Sequence, residues 1–388
     1  MKPITDTRAL EDFCASLGEP PYITIDTEFM REKTYWPILC LVQVAAGGGG
    51  NDGPYAAIDP LAPGMDLTPL FDVLANKNIL KVFHAARQDL EIFQYLAGRL
   101  PEPVFDTQVA AMVCGFGDSV GYESLIAKLT KQRIDKSSRF TDWSHRPLSE
   151  RQITYALADV THLRPAYEKL KRTLESNGRA GWLDEEMAIL TDPKTYTPDP
   201  NKVFRRIKSR SNDRRYLAVL REVAAWREHK ARDRNIPRNR VLRDEQLVEI
   251  AHHTPSNSGE LSRTRGLSKG FAEGSSGAAI LDAVRDGLAV PEKDRPEPVL
   301  KPDLPRGLGP ATDLLKVLLK MKCEERGVAQ KLLASSADLD QIAAYGEKAQ
   351  VRTLNGWRRE LFGEDALKLV RGEICLSLKN GKTALIES

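Results

Sequence analysis

Four acids and one phenol, carried in three separate blocks of a 388-residue chain, have the types and spacing to do chemistry together. They are Asp26 and Glu28 in ITIDTEF, Asp89 in VFHAARQDLEIF, and Tyr155 with Asp159 in YALADV. Strict alternation along YITIDTEF puts Tyr22, Thr24, Asp26 and Glu28 on one face of a strand, and Ile23, Ile25 and Phe29 on the other. Strand rise then separates Asp26 from Glu28 by about 7 Å, close enough for both to reach one cation. Tyr155 and Asp159, at i and i+4, share a helix face with about 6 Å of axial separation. Carboxylates that converge on one point call for a divalent metal, and metal-dependent phosphoryl transfer is the chemistry such a set performs. Each block alone also fits a bland role: a solvated strand end, a surface pair on a helix, or an acid complementing a helix dipole.

The elements that must position these groups are readable as alternating strand and helix signals over the first 175 residues or so. Tyr22 to Phe29, Ile38 to Val44, Tyr55 to Ile58 and Ile79 to Phe83 are rich in β-branched or aromatic residues and are expected as strands. Helical periodicity appears in Asp89 to Leu96, Tyr122 to Leu129 and Ser149 to Leu174. Ser149 followed by Gln152 makes a capping box, and Ile153, Ala156, Val160 and Tyr167 trace an apolar stripe on a face other than that of Tyr155 and Asp159. Pro165 is expected to kink or interrupt this helix, because it removes the hydrogen bond to the carbonyl of Thr161. Three early strands followed by alternating helices indicate a mixed sheet flanked by helices in an α/β domain. The run GGGGNDGP at 47–54 reads as a hairpin tip and not a phosphate cradle, since no helix follows it.

Beyond this domain, expected over 1–190, a Pro-rich linker at 191–207 leads into helical sequence that repeats itself. With an offset of 92 residues, RNIPRNRVLRDEQLVEIA from Arg234 superposes on RGVAQKLLASSADLDQIA from Arg326. The match pairs Leu247 with Leu339, Ile250 with Ile342, Val223 with Leu315 and Trp226 with Leu318. Two small all-α modules, 208–292 and 309–388, joined by a second Pro-rich linker at 293–308, are the expected organisation.

Composition narrows the class. The chain is 41% hydrophobic and 29% charged, ordinary for a soluble protein with real cores. Its longest apolar stretches, such as ILCLVQVAA from Ile38, fall short of the roughly 20 residues that span a bilayer, so a cytoplasmic protein with no membrane partner is expected. Five cysteines without paired spacing suggest neither a disulfide framework nor a zinc knuckle. The net charge of +3 conceals an asymmetry: residues 1–200 hold 21 basic against 28 acidic groups, while 202–243 alone hold 15 against 4. A basic stripe of that density is either a nucleic-acid footprint or a well-solvated helical face.

Taken together, DTEF, HAARQDLEIF and Tyr-x-x-x-Asp resemble the three motifs of the DEDD exonucleases in their tyrosine subclass, which share a ribonuclease-H-like fold. The longer strings DTEFMREKTYWPILCLVQV, VFHAARQDLEIF and DWSHRPLSERQITYALADVTHL are similar to the ribonuclease D family, and the helical repeats to its paired helicase-and-RNase-D C-terminal (HRDC) modules. The resemblance covers nearly the whole chain; the Gly-rich loop at 47–54 departs from it, away from the motifs. It implies a 3′–5′ exoribonuclease that releases 5′-monophosphates, with two Mg2+ or Mn2+ ions. Asp26, Glu28 and Asp159 would bind one ion, Asp26 and Asp89 the other, and Tyr155 would orient the attacking water. Thr27, Phe29, Met30, His84 and Gln88 are expected at the substrate, and Trp143 and Arg146 could serve either structure or substrate. The implied partner is a single-stranded RNA 3′ end, with tRNA precursors as substrate class and a monomer as the acting form. A DNA exonuclease on the same site and a non-catalytic nucleic-acid-binding protein are the alternatives. A nucleotide-driven helicase fails, because NGKT at 380–383 lacks the upstream Gly of a P-loop and no helix follows.

Overall fold

The computed structural model describes residues 2–48, 53–134, 141–209, 211–298 and 304–388. The centre of the Gly-rich loop and part of the second Pro-rich linker lie outside the described residues. Five strands, β1 (Tyr22–Met30), β2 (Ile38–Ala46), β3 (Tyr55–Ile58), β4 (Leu80–Phe83) and β5 (Val104–Asp106), form one sheet in the order β3-β2-β1-β4-β5. β1, β2 and β3 pair antiparallel, whereas β4 and β5 run parallel to β1, so the sheet is mixed as the element order implies. The three-residue β5 has too little sequence to carry a period of its own.

The two faces of β1 bury different partners. Ile23 and Ile25 pack with Leu10 of α1 (Thr7–Leu17), Leu70 of α2 (Thr68–Ala75) and Leu90 and Phe93 of α3 (Arg87–Ala97). α4 (Thr107–Val113) and α5 (Tyr122–Thr130) follow β5, and the opposite sheet face is crossed by α6 (Glu150–Ser176). Its capping box forms, and Ile153, Ala156, Val160 and Tyr167 are buried against the sheet. The interruption expected at Pro165 does not occur: α6 runs through it as one helix of 27 residues. Leu163, Ala166, Tyr167, Leu170 and Leu174, all buried around or after the proline, supply packing that outweighs one missing backbone hydrogen bond.

After α7 (Trp182–Leu190), the segment Pro200–Arg206 forms 3-10 turns whose Val203 and Phe204 enter the core of the first helical module, against α8 (Arg214–Asp233). The offset of 92 maps helix Arg238–Val241 onto Gln330–Leu333 and helix Asp244–His253 onto Ser336–Tyr345, residue for residue. Leu247, Ile250, Leu339 and Ile342 are all buried. The second copy does not stand apart: Leu315 and Leu318, from helix Gly309–Arg326, share one core with Ala110 of α4, Leu125 of α5 and Leu170 and Leu174 of α6. Backbones meet there, with the amide of Ala329 donating to the carbonyl of Met112 at 2.9 Å. Gly115 sits at φ 80° in that contact, where a Cβ would lie 2.7 Å from the carbonyl oxygen of Gly327. Residues Ile374–Lys379 and Lys382–Glu387 make a terminal hairpin. Its turn places Asn380 and Gly381 at φ 53° and 74°, the Asn-Gly chemistry of a type I′ turn. NGKT is therefore a hairpin turn, as its failure to match a P-loop allows.

Candidate active site

Hydrogen bonds between β1 and α6 set the register of the acids. Thr24, two residues before Asp26 on the same strand face, donates through Oγ1 to the carbonyl of Val160 at 2.8 Å, one residue after Asp159. Tyr122 of α5 donates its phenol to the carbonyl of Asp159. The result is a cluster in which one carboxylate oxygen from each of Asp26, Glu28 and Asp159 lies within 4.8 Å of the others. A β-bulge between Glu28 and Phe29 ends the regular alternation as soon as the second acid has been placed.

Asp89 stands outside that trio and reaches the site from the other face of the sheet, on the first turn of α3. It accepts a hydrogen bond from Thr27 Oγ1, the side chain between the two strand acids. Burial pushes the Asp26 carboxyl well above the usual carboxylate range, and the charge of Asp159 raises it further. Asp89 is raised in the same way, by burial first and then by Asp26. Acids that resist ionising together are what a divalent cation relieves, and the all-oxygen donor set fits such an ion. Tyr155 is also pushed up, by burial and then by Asp159, Glu28 and Asp26, so its phenol keeps its proton at neutral pH.

Two adjoining cavities open on the cluster. The larger, about 860 Å³, is lined by Asp26, Glu28, Asp89 and Tyr155 together with Thr27, Phe29, Met30, His84 and Gln88. The smaller, about 350 Å³, is bounded by Asp26, Asp159, Tyr155, His84 and Tyr122. All five acid and phenol positions and all five neighbouring residues singled out from sequence thus line these two adjoining cavities, Asp159 on the smaller alone. Arg146 is structural: it forks onto Asp59 at 2.6 and 2.7 Å and donates to the carbonyl of Cys40. Trp143 is almost wholly buried yet lines the larger cavity, its ring 6.2 Å from that of Tyr155. Sequence reasoning missed Tyr122, whose role depends on a contact 37 residues away. It also missed the wall formed by Glu32, Lys33 and Thr34, which a loop period cannot announce.

A mixed sheet whose first strand carries two acids, completed by acids from helices on both of its faces, defines a 3′–5′ exonuclease. Residues 1–175 match the family model described as 3′–5′ exonuclease, and residues 216–284 match the HRDC domain. The chain is 51% identical to Ribonuclease D of Granulibacter bethesdensis, over 99% of this chain and 96% of that one. Ribonuclease D of Jannaschia sp. (strain CCS1) is 49% identical, over 99% of both chains. The crystal structure of Escherichia coli RNase D, described as an exoribonuclease involved in structured RNA processing, matches with a TM-score of 0.79 at 33% identity. That match covers 95% of this chain and 98% of that one. The chain belongs to the ribonuclease D family of hydrolytic exoribonucleases. No helix among the described residues is long and apolar enough to cross a membrane.

Proposed function

We propose that the chain shortens single-stranded RNA from its 3′ end one nucleotide at a time, releasing 5′-monophosphates, with two divalent cations, Mg2+ or Mn2+, as cofactors. The observation that supports this most is the trio of carboxylate oxygens within 4.8 Å beside a fourth buried acid. Bound ions would acidify the attacking water and offset charge developing on the scissile phosphate and the leaving 3′ oxygen. Asp26, Glu28 and Asp159 would hold one ion, and Asp26 with Asp89 the other. Tyr155, protonated at neutral pH, orients the water by hydrogen bonding and does not take its proton. Phe29 and Met30 offer apolar surface to the terminal bases, while Thr27, His84 and Gln88 offer polar groups at the same cavity.

The helical modules, 208–292 and 309–388, bounded by the segments 191–207 and 293–308, would hold the RNA backbone outside the cavity. Precursors of tRNA are the substrate class, and a monomer in the cytoplasm is the acting form. The test is incubation with 5′-labelled single-stranded RNA, with and without chelator. A metal-dependent ladder shortening in single-nucleotide steps, blocked by a 3′-phosphate, is the expected result. Internal fragments appearing before the ladder would mean an endonuclease.

A further inference from the structure

One wall of the large cavity is not held by the catalytic domain alone. The β1–β2 connection contributes Glu32, Lys33 and Thr34 to that wall. Arg31, at its start, forks onto Glu91 of α3 at 2.6 and 2.7 Å. Tyr35 and Trp36 then reach out of the domain: their amides both donate to Oδ1 of Asn235, at 3.1 and 3.0 Å. Asn235 belongs to the turn after α8, in the first helical module, and holds φ 47°, a left-handed conformation that Asn tolerates better than most residues.

The Tyr35 side chain goes deeper. It is 6% exposed and donates its phenol to Glu228, which is itself fully buried. Arg238 donates to the same phenol at 2.7 Å and lies over the ring, 4.6 Å from its centroid, while Arg232 donates to it at 3.1 Å. Both arginines also bond Glu228, Arg238 at 2.7 Å and Arg232 at 3.0 Å. Burial alone would raise the Glu228 carboxyl, but hydrogen bonds and charge from Arg238, Tyr35 and Arg232 outweigh it and hold the group at about 2. A buried charged network of this kind, with its polar ends partnered, fixes geometry more than it adds net stability.

We infer that the first helical module is a brace for the substrate wall, with Asn235, Glu228 and Tyr35 as positioning residues that fix Glu32, Lys33 and Thr34 for the RNA 3′ end. The inference rests on the hydrolytic reading of the site. It separates two roles that RNA gripping would merge, because no described residue beyond Tyr155 lines the large cavity. A substrate short enough to occupy only that cavity touches nothing of the first module, yet depends on it through the wall.

The experiment uses the full chain and a 5′-labelled diribonucleotide, comparing wild type with Asn235→Gly, Asn235→Ala and Asn235→Asp. Glycine accepts the left-handed backbone but removes the acceptor, alanine removes both, and aspartate keeps an acceptor and tolerates the backbone. We expect the glycine and alanine variants to raise KM for the diribonucleotide about fivefold to tenfold, the equivalent of losing one or two hydrogen bonds, and aspartate to stay near wild type. A merely structural role would lower the active fraction, and hence kcat, while leaving KM unchanged. Wild-type KM in Asn235→Gly, with wild-type hydrolysis intact, would overturn the brace alone. Absence of diribonucleotide and longer RNA hydrolysis by the wild type would instead overturn the reading of the site.

Discussion

Thr27 Oγ1 donates to Oδ1 of Asp89, and through this hydrogen bond the strand that carries two of the acids also holds the acid that approaches from the opposite face of the sheet. The bond favours the ionised form of Asp89, against burial and the charge of Asp26. Thr27→Val preserves shape and removes the donor, a change of about 1–2 kcal/mol, or roughly 5–30-fold in ligand affinity. The variant is expected to require more Mg2+ for half-maximal activity while reaching a similar fold stability. A metal titration that overlays the wild-type curve would show that the Asp89 position does not depend on this bond.

Asp26→Asn should abolish hydrolysis and, without metal, stabilise the fold at neutral pH. The native carboxyl is raised by burial and by Asp159, so the protein opposes its ionisation. An unfolded Asp titrates near 3.9, and the native state therefore loses stability as pH climbs from there through the raised native value. Asn removes that loss. Thermal melts at neutral pH should rise for metal-free Asp26→Asn, while added Mg2+ or Mn2+ should raise the wild-type melt and leave the variant's almost unmoved. A wild-type melt indifferent to both ions would contradict the metal assignment.

Glu228 has the opposite sign. Its native carboxyl titrates at about 2 against an ordinary 4.5, so ionisation within its pairs stabilises the fold relative to the protonated form, fully so above the ordinary value. That contribution, on the order of 3 kcal/mol, is lost as pH falls through the native value. Glu228→Gln should melt lower than wild type at pH 7, and the gap should narrow steadily as the pH is lowered below about 4.5. A gap that stays constant down to about pH 3 would mean the carboxyl is not ionised in its pairs.

The charge count of the basic stretch overstates what RNA can meet. Arg214, Arg221, Arg227, Arg232 and Arg238 are already in ion pairs with acids of the same chain. Arg206, Lys208 and Arg215 are exposed and in no ion pair among the described residues. Replacing these three with Gln should lower the slope of log K against log salt by about 0.7 for each phosphate that is no longer neutralised. Arg227→Gln should instead destabilise the module, since its side chain is buried against Asp244 and the carbonyl of Leu242. RNA binding measured under chelator over a range of salt distinguishes the two outcomes.

What was legible in the sequence follows from the range of the interactions involved. The first four strands and α6 carry their own period, and the acids were found because period-2 and i,i+4 spacing put them on shared faces. Tyr122, Asn235 and Glu228 have no such signature. Their partners lie 37, 200 and 193 residues away, and only the folded chain brings them together. Ion pairs also take up arginines that a charge count lists as available, and packing around Pro165 carries α6 past a residue that lacks a backbone donor.

The two helical copies are attached differently: only the second adds a broad shared apolar core to its polar contacts with the catalytic domain. The second shares an apolar core with α4, α5 and α6, where separation would expose a broad surface to water all at once. The first is tied to the β1–β2 connection by directional polar bonds at Tyr35 and Trp36, each of which a single side-chain change can remove. Sequence drift is therefore constrained differently in the two: the second copy tolerates apolar exchanges of similar volume across a broad surface. The attachment of the first rests on a few polar residues, where one substitution loosens its hold on the mouth of the active site.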